Sequence, residues 1–327
     1  MRIPLLALLL AIAPQAAGQT VPGSLDVHWN AGAPDCEATP QDPLQVHAYA
    51  PQTFILRQSP CTHFEANFLY LLVGHERALL IDSGAIAEAA RMPLAQRVLE
   101  LLPRRDGAPL PLIVAHSHGH RDHRAGDALF ASHDAVEVVD ADLEGVKAFF
   151  GLDRWPDGVA SLDLGGRTVT VLPAPGHHPA HVLFYDDRTA LLFSGDFLLP
   201  GRLLIDDTAT YRTSAARAAE FFRDRPVTHV LGGHIELDVD GRLFPHGAQH
   251  HPHEHPLQLD KQALLELPAA LEAFNGFRAR HADFVLVHPM HNLAALAVAA
   301  VAALALIGWA LRRLWRRRRA ASARGRD

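Results

Sequence analysis

Short apolar runs recur along the middle of the chain, at 68–73, 78–81, 112–115, 136–139, 169–172, 182–185, 190–193 and 227–231. Each is apolar or β-branched and bounded by Gly, Pro, Asp or Asn, the pattern of buried strands. Helical periodicity falls between them, at about 87–102, 141–150, 213–224 and 260–281. Asp186-Asp187-Arg188 predicts a hairpin turn. Strand pairs alternating with helices predict a layered α/β or α+β domain whose sheets are covered by helices. No linker divides residues 46–285, which are expected to form one domain. Residues 19–45, rich in Pro, Gly, Asp and Ala, read as an irregular lead-in.

Both ends have a membrane pattern. Arg2, the apolar run 5–13 and the small residues Ala16-Ala17-Gly18 are laid out as a signal peptide, 1–18, with an uncleaved anchor as the alternative. Residues 293–311 contain no charge, and nineteen helical residues rise roughly 28 Å, about the thickness of a bilayer core. Trp309 and Trp315 suit the interface, and the basic tail 312–327 follows at once. The expected topology is a single-pass transmembrane helix with the body outside the cytoplasm, periplasmic in a Gram-negative cell, and the tail inside. Cys36 and Cys61 are the only cysteines and fall in the exported part, where a disulfide is permitted. Such a bridge would restrain the unfolded chain by roughly 3–4 kcal/mol. Two buried thiols are the alternative.

The net charge of −6 hides an asymmetry, because residues 3–311 carry −14 and the tail +7. So acidic a body disfavours a nucleic-acid partner. Histidine is the outlier, with 22 residues against two lysines, and directs attention to metal chemistry.

The stretch His116-Ser117-His118-Gly119-His120-Arg121-Asp122-His123 directly follows the strand expected at 112–115. A strand end holds several ligands on rigid support, and imidazole and carboxylate both suit zinc. Side chains two apart in an extended segment point the same way, so His118 and His120 can reach one ion. Asp122 and His123 sit on the next turn and can face a second. Downstream, Pro175-Gly176-His177, Ser194-Gly195-Asp196 and Gly232-Gly233-His234 each follow an expected strand, and Ile81-Asp82-Ser83-Gly84 precedes them. Read alone, the residues permit His118, His120 and His177 around one ion and Asp122, His123 and His234 around another, with Asp196 shared. A water activated by such a pair is a nucleophile at neutral pH, so no Ser or Cys nucleophile is needed.

His118-x-His120-x-Asp122-His123 resembles the HxHxDH signature of the metallo-β-lactamase-fold hydrolases. The PGH, GD and final His elements resemble the same family in the same order, over roughly residues 46–240. The resemblance implies an αββα sandwich of two mixed β-sheets, plus the C-terminal transmembrane helix, and a cofactor of two zinc ions, with iron or manganese as substitutes. It makes Asp122 also catalytic, by orienting the attacking water, and Asp82 a support. His116, left over by the register, is expected at the strand end as a hydrogen-bonding residue. His181 is expected to brace the loop after His177.

An Asp at 196 is similar to the glyoxalase-II-like thioesterases and the lactonases, whereas true β-lactamases of this fold usually carry Cys or Ser there. The expected activity is hydrolysis of a small-molecule ester, lactone, thioester or amide. The alternatives are a β-lactamase-type hydrolase, a mononuclear iron persulfide dioxygenase and a non-catalytic metal-binding membrane protein. His178, Arg202 and Arg212 are candidates to face substrate. The His-rich segment 246–255 reads as a second metal-gathering element or, preferably, as a solvated loop near the cleft.

Overall fold

The computed structural model describes residues 20–324, so the signal peptide expected at 1–18 lies outside the described residues. Two six-stranded mixed sheets face each other. In spatial order the first runs Leu44–Ala50, Thr53–Gln58, Phe68–Val73, Ala78–Ile81, Leu112–Ala115 and Val136–Val138. Its last three strands are parallel and the others antiparallel. The second runs Gln258–Leu259, His229–Gly232, Leu191–Gly195, Val182–Asp186, Thr168–Pro173 and Ala160–Asp163. Only its pairing of Leu191–Gly195 with His229–Gly232 is parallel.

Strand alternation builds the layers, because successive side chains point to opposite faces. Ile55, Tyr70, Leu72, Phe184, Phe193 and Leu231 fill the space between the sheets. Leu69, Leu71 and Leu80 point the other way and pack under the helix Leu94–Leu101. Leu183, Leu192 and Val230 do the same under Thr208–Phe222 and Lys261–Glu272. The result is the αββα sandwich expected from the sequence.

Where helix bounds differ from the sequence reading, the caps explain it. Asp207 accepts from Ala209 N and Thr210 N, starting that helix five residues before 213. Pro93 precedes the helix at Leu94, which excludes 87–92. The helix expected over 260–281 stops at Glu272. Gly276 takes φ +81°, and Asn275 Oδ1 accepts from Phe277 N and Arg278 N. That turn leads into the strand Arg278–Arg280 instead.

Three strands complete a small third sheet, ordered Arg202–Leu204, Val285–Val287 and Arg278–Arg280. Residues 20–43 form no helix or strand, yet Val21, Leu25 and Trp29 pack on the inter-sheet core. Cys36 and Cys61 are joined by a disulfide. The C-terminal helix, Pro289–Arg324, starts before and runs past the expected 293–311. Within its segment Pro289–Arg316 an 18-residue stretch has mean hydropathy 2.4 and is 0% buried, so the helix is long and apolar enough to cross a membrane.

Candidate metal centre

Four chain segments converge where strands of the two large sheets end. His118, His120, Asp122 and His123 follow Leu112–Ala115, and His177 lies on the turn after Thr168–Pro173. Asp196 follows Leu191–Gly195, and His234 follows His229–Gly232. The register of the parallel pair sets Gly195 opposite Gly232, which brings their following residues together.

The nitrogens form two groups. His118 Nε2, His120 Nδ1 and His177 Nε2 lie 2.9, 3.1 and 3.3 Å apart. In the second group His123 Nε2 is 3.2 Å from both His234 Nε2 and Asp122 Oδ2, and His234 Nε2 is 3.4 Å from Asp122 Oδ2. Ligands held at 2.0–2.1 Å on a tetrahedral ion stand about 3.3 Å from one another. Both groups therefore have the spacing of ligand atoms around one small ion each.

Asp196 stands between them. Its Oδ1 is 3.4 Å from both His123 Nε2 and His234 Nε2, and its Oδ2 is 3.7 Å from His177 Nε2. Oδ1 is buried and receives no hydrogen bond. A buried carboxylate oxygen without a donor is costly unless a cation satisfies it. Donor type, spacing and this orphaned oxygen all fit a pair of divalent ions.

The remaining ring nitrogens are occupied in a way that frees the facing ones. His177 Nδ1 donates to Leu204 O at 2.8 Å and His234 Nδ1 to Glu65 O at 2.7 Å. His123 Nδ1 donates to Asp82 Oδ2 at 2.9 Å. Such partners fix the tautomer and ring plane of a metal ligand. Asp82 also accepts from Ser117 N and Ser117 Oγ, at 2.7 and 2.9 Å, and Ser117 Oγ lies 3.1 Å from His118 Nδ1. Gly195 adopts φ +49°, and a Cβ there would meet Ser117 at 2.5 Å, so only glycine admits this packing.

The electrostatics differ between the groups. Burial, then the neighbouring His123 and His177, hold His118 well below its usual value, and burial and His177 lower His120. Lowering keeps both rings neutral at physiological pH, the form in which an imidazole can bind a metal. Burial opposes charge at His234 too, but Asp196 and Asp122 outweigh it and push the ring up to about 10. Around His123 the carboxylates Asp122, Asp196 and Asp82 likewise prevail over burial and raise it. Burial would raise Asp122 and Asp196, yet His123 and His234 hold both well below the carboxylate range. The second group is thus a negative pocket that draws positive charge.

Other sequence candidates fall outside the two groups. His116 Nε2 faces Asp127 Oδ1 at 2.8 Å, which also accepts from Ser83 Oγ. The His181 ring is buried against His118, centroids 5.1 Å apart, with neither nitrogen hydrogen-bonded. Its backbone closes the loop, donating to His178 O and accepting from Ala174 N. His178 is half-buried beside His120, on a cleft of about 490 Å³ lined also by Gly119, Arg124, Asp142 and Leu143. Arg202 and Arg212 are both engaged within the protein. The first pairs with Glu236 and donates to Phe244 O, and the second donates to Leu271 O. In 246–255, His251 is buried and stacked on Phe244 rather than solvated, and the loop is tied down by the buried Arg57–Glu254 pair.

Ser117, Asn67 and the carbonyls of Leu204 and Glu65 were not visible as site residues in the sequence. Asn67 is fully buried, its Nδ2 3.3 Å from Asp122 Oδ2, and its position at the start of a strand gave no signal.

The metallo-beta-lactamase superfamily model matches residues 64–234. The chain is 30% identical over 217 residues to a hydroxyacylglutathione hydrolase of Methylobacillus flagellatus, covering 64% of this chain and 77% of that protein. It is 28% identical over 209 residues to the acyl-coenzyme A thioesterase MBLAC2 of Gallus gallus, covering 54% and 75%. A solved metallo-beta-lactamase from Pontibacter korlensis aligns over 71% of this chain and 100% of that one, with TM-score 0.48 and 17% identity.

Proposed function

The chain belongs to the metallo-beta-lactamase superfamily, and from that premise we propose that it is a dinuclear zinc hydrolase of acyl thioesters or related esters, anchored in a membrane by its C-terminal helix. The observation that carries the reading is Asp196, whose two oxygens reach toward different ligand groups. Two hydrolase relatives, named for a glutathione thioester and for acyl-coenzyme A, favour the thioester among the bonds the sequence permits.

His118, His120 and His177 would hold one ion, Asp122, His123 and His234 the other, and Asp196 both. When bound, the pair would supply an activated water and a Lewis acid for the carbonyl. The protein's own part is orientation. Asp82 holds His123, Ser117 sits between Asp82 and His118, and Leu204 O holds His177. Asp122 Oδ1 is left to align the attacking water, since Oδ2 faces His123, His234 and Asn67. The cleft beside His178 is where the acyl or thiol portion would lie.

The apolar run of the helix is unburied and followed within the same helix by Arg312, Arg313 and Arg316, which supports a cytoplasmic C-terminus and an extracytoplasmic body. Purified, zinc-loaded full-length protein tested on a panel of thioesters, esters, lactones and cephalosporins checks the activity. Turnover of thioesters with two zincs per chain is expected, and cleavage of cephalosporins alone would replace this reading with the β-lactamase one. One iron per chain with oxygen consumption on a persulfide would replace it with the dioxygenase. A reporter fused after Asp327 that works only when exported would reverse the topology.

A further inference from the structure

The root of the apolar helix and the turn carrying His177 are neighbours. Gly176 O accepts from Asp206 N at 3.0 Å, and the adjacent Ile205 N donates to Val287 O at 2.8 Å. With one residue step of about 3.5 Å between these bonds, the His177 turn lies roughly 10 Å from Val287. The strands Arg202–Leu204 and Val285–Val287 are parallel, with Leu204 opposite Val287, so both end on this side. Leu204 O is the acceptor that holds His177.

Pro289 opens the helix two residues later, and its first turn is pinned to the body. Asn292 Nδ2 donates to Phe277 O and His291 Nδ1 to Gly276 O, both at 2.8 Å. The charge-free run begins at Leu293. The turn 289–292 rises about 6 Å, the depth of one headgroup layer. Laid end to end, these segments leave the first ligand group within roughly 20 Å of the headgroups. A body of this size is on the order of 45 Å across, so the site is in its membrane-proximal half. The same rim exposes Phe277 at 46% and Met290 at 62%, beside the exposed Arg278 and Arg280 of an otherwise acidic body. Aromatic and cationic side chains suit an interface with lipid headgroups.

We infer that the enzyme works at the bilayer surface, on an amphiphilic acyl thioester that is concentrated in the adjacent leaflet and rises from it to the site. This rests on the hydrolase reading and on the membrane anchor. In the reaction, water adds to the carbonyl carbon and the C–S bond breaks. The sulfur leaves with the electron pair and takes a proton as a thiol, and the acid ionises to a carboxylate.

The test uses the full-length protein reconstituted in phosphatidylcholine vesicles, with thioesters of one small thiol bearing acyl chains from acetyl to palmitoyl. The long-chain thioesters should be hydrolysed at least tenfold faster than acetyl. Their rate should fall in proportion when inert lipid dilutes them in the membrane at fixed total concentration. A flexible Gly/Ser spacer of about twelve residues between Asn292 and Leu293, spanning roughly 20 Å, should remove most of that advantage and leave acetyl hydrolysis unchanged. Equal rates for acetyl and palmitoyl, indifferent to surface dilution and to the spacer, would overturn the membrane substrate and leave the hydrolase intact. Failure to cleave any thioester would overturn the thioester reading itself, and this inference with it.

Discussion

Asp82 Oδ2 accepts the Nδ1–H of His123 at 2.9 Å, although Asp82 sits on a different strand end 41 residues earlier and itself faces no ion position. Asp82 adopts φ +65°, a left-handed conformation uncommon outside glycine and tolerated best by Asn and Asp. Strain is thus accepted to point one carboxylate at Ser117 and His123 together.

Asp82→Asn keeps that backbone conformation available but turns an acceptor into an amide that must face both His123 Nδ1 and Ser117 Oγ. The His123 ring then loses its fixed tautomer. We expect affinity for the second ion to fall about 10- to 100-fold, with the first ion retained and the fold intact. Metal titration followed by elemental analysis measures it. Equal loss of both ions would mean that Asp82 supports the whole centre through Ser117.

The proposed ligands were legible because each is a side chain of distinctive chemistry just after an apolar run. Their orienting partners were not, since Leu204 O and Glu65 O are backbone carbonyls, and every residue has one. Strand length divides the fold in the same way. Phe68–Val73 and Leu112–Ala115 are continuously buried and apolar, and the sequence pattern matches their bounds. Leu44–Ala50 mixes Gln and His with apolar residues on an edge, and Arg202–Leu204 and Val285–Val287 are three residues long, too short for periodicity. The helix end at Glu272 was missed because apolar spacing continues past it while Asn275-Gly276 breaks the backbone.

The disulfide closes a loop that ends just before His63, Glu65 and Asn67, the segment lining the second ligand group. Replacing both cysteines, Cys36→Ala with Cys61→Ala, should cost roughly 3–4 kcal/mol on the loop-entropy account. Thermal melts of oxidised and doubly substituted protein compare directly. An unchanged melting temperature would show that residues 20–43 are held by Trp29 and its neighbours alone.

Acid should strip the ion held by His118, His120 and His177 only well below pH 6.5. Burial and adjacent imidazoles lower His118 and His120, so they stay deprotonated where an ordinary histidine would take a proton and release metal. In metal-free protein the sign is the same for folding. The unfolded chain binds those protons near 6.5 and the native chain does not, so stability falls as pH drops through that value. Occupancy of the first group after dialysis from pH 8 downward should hold through 6.5 and decline only well below it. Release beginning above pH 7 would contradict neutral, buried ligands.

Asp196→Asn gives the strongest separation between the proposed bridge and an ordinary turn residue. The amide has nearly the same size, so the Gly195 turn and its packing on Ser117 should survive. What is lost is the negative charge reaching both ligand groups, together with the orphaned Oδ1 that no donor in the protein satisfies. The second group would keep only Asp122, His123 and His234, so its ion should weaken most. With one ion gone, activation of water and stabilisation of the leaving thiolate both decline, and turnover should fall by roughly two to four orders of magnitude. Substrate binding in the cleft beside His178 should change little, because that cleft does not include Asp196. The drop should exceed that of Asp82→Asn, which leaves every ligand in place. Metal counts, melting curves and thioester kinetics on the same preparations decide it. An Asp196→Asn protein with two ions and near-normal turnover would mean that the carboxylate bridges nothing, and the dinuclear reading of this site would fail.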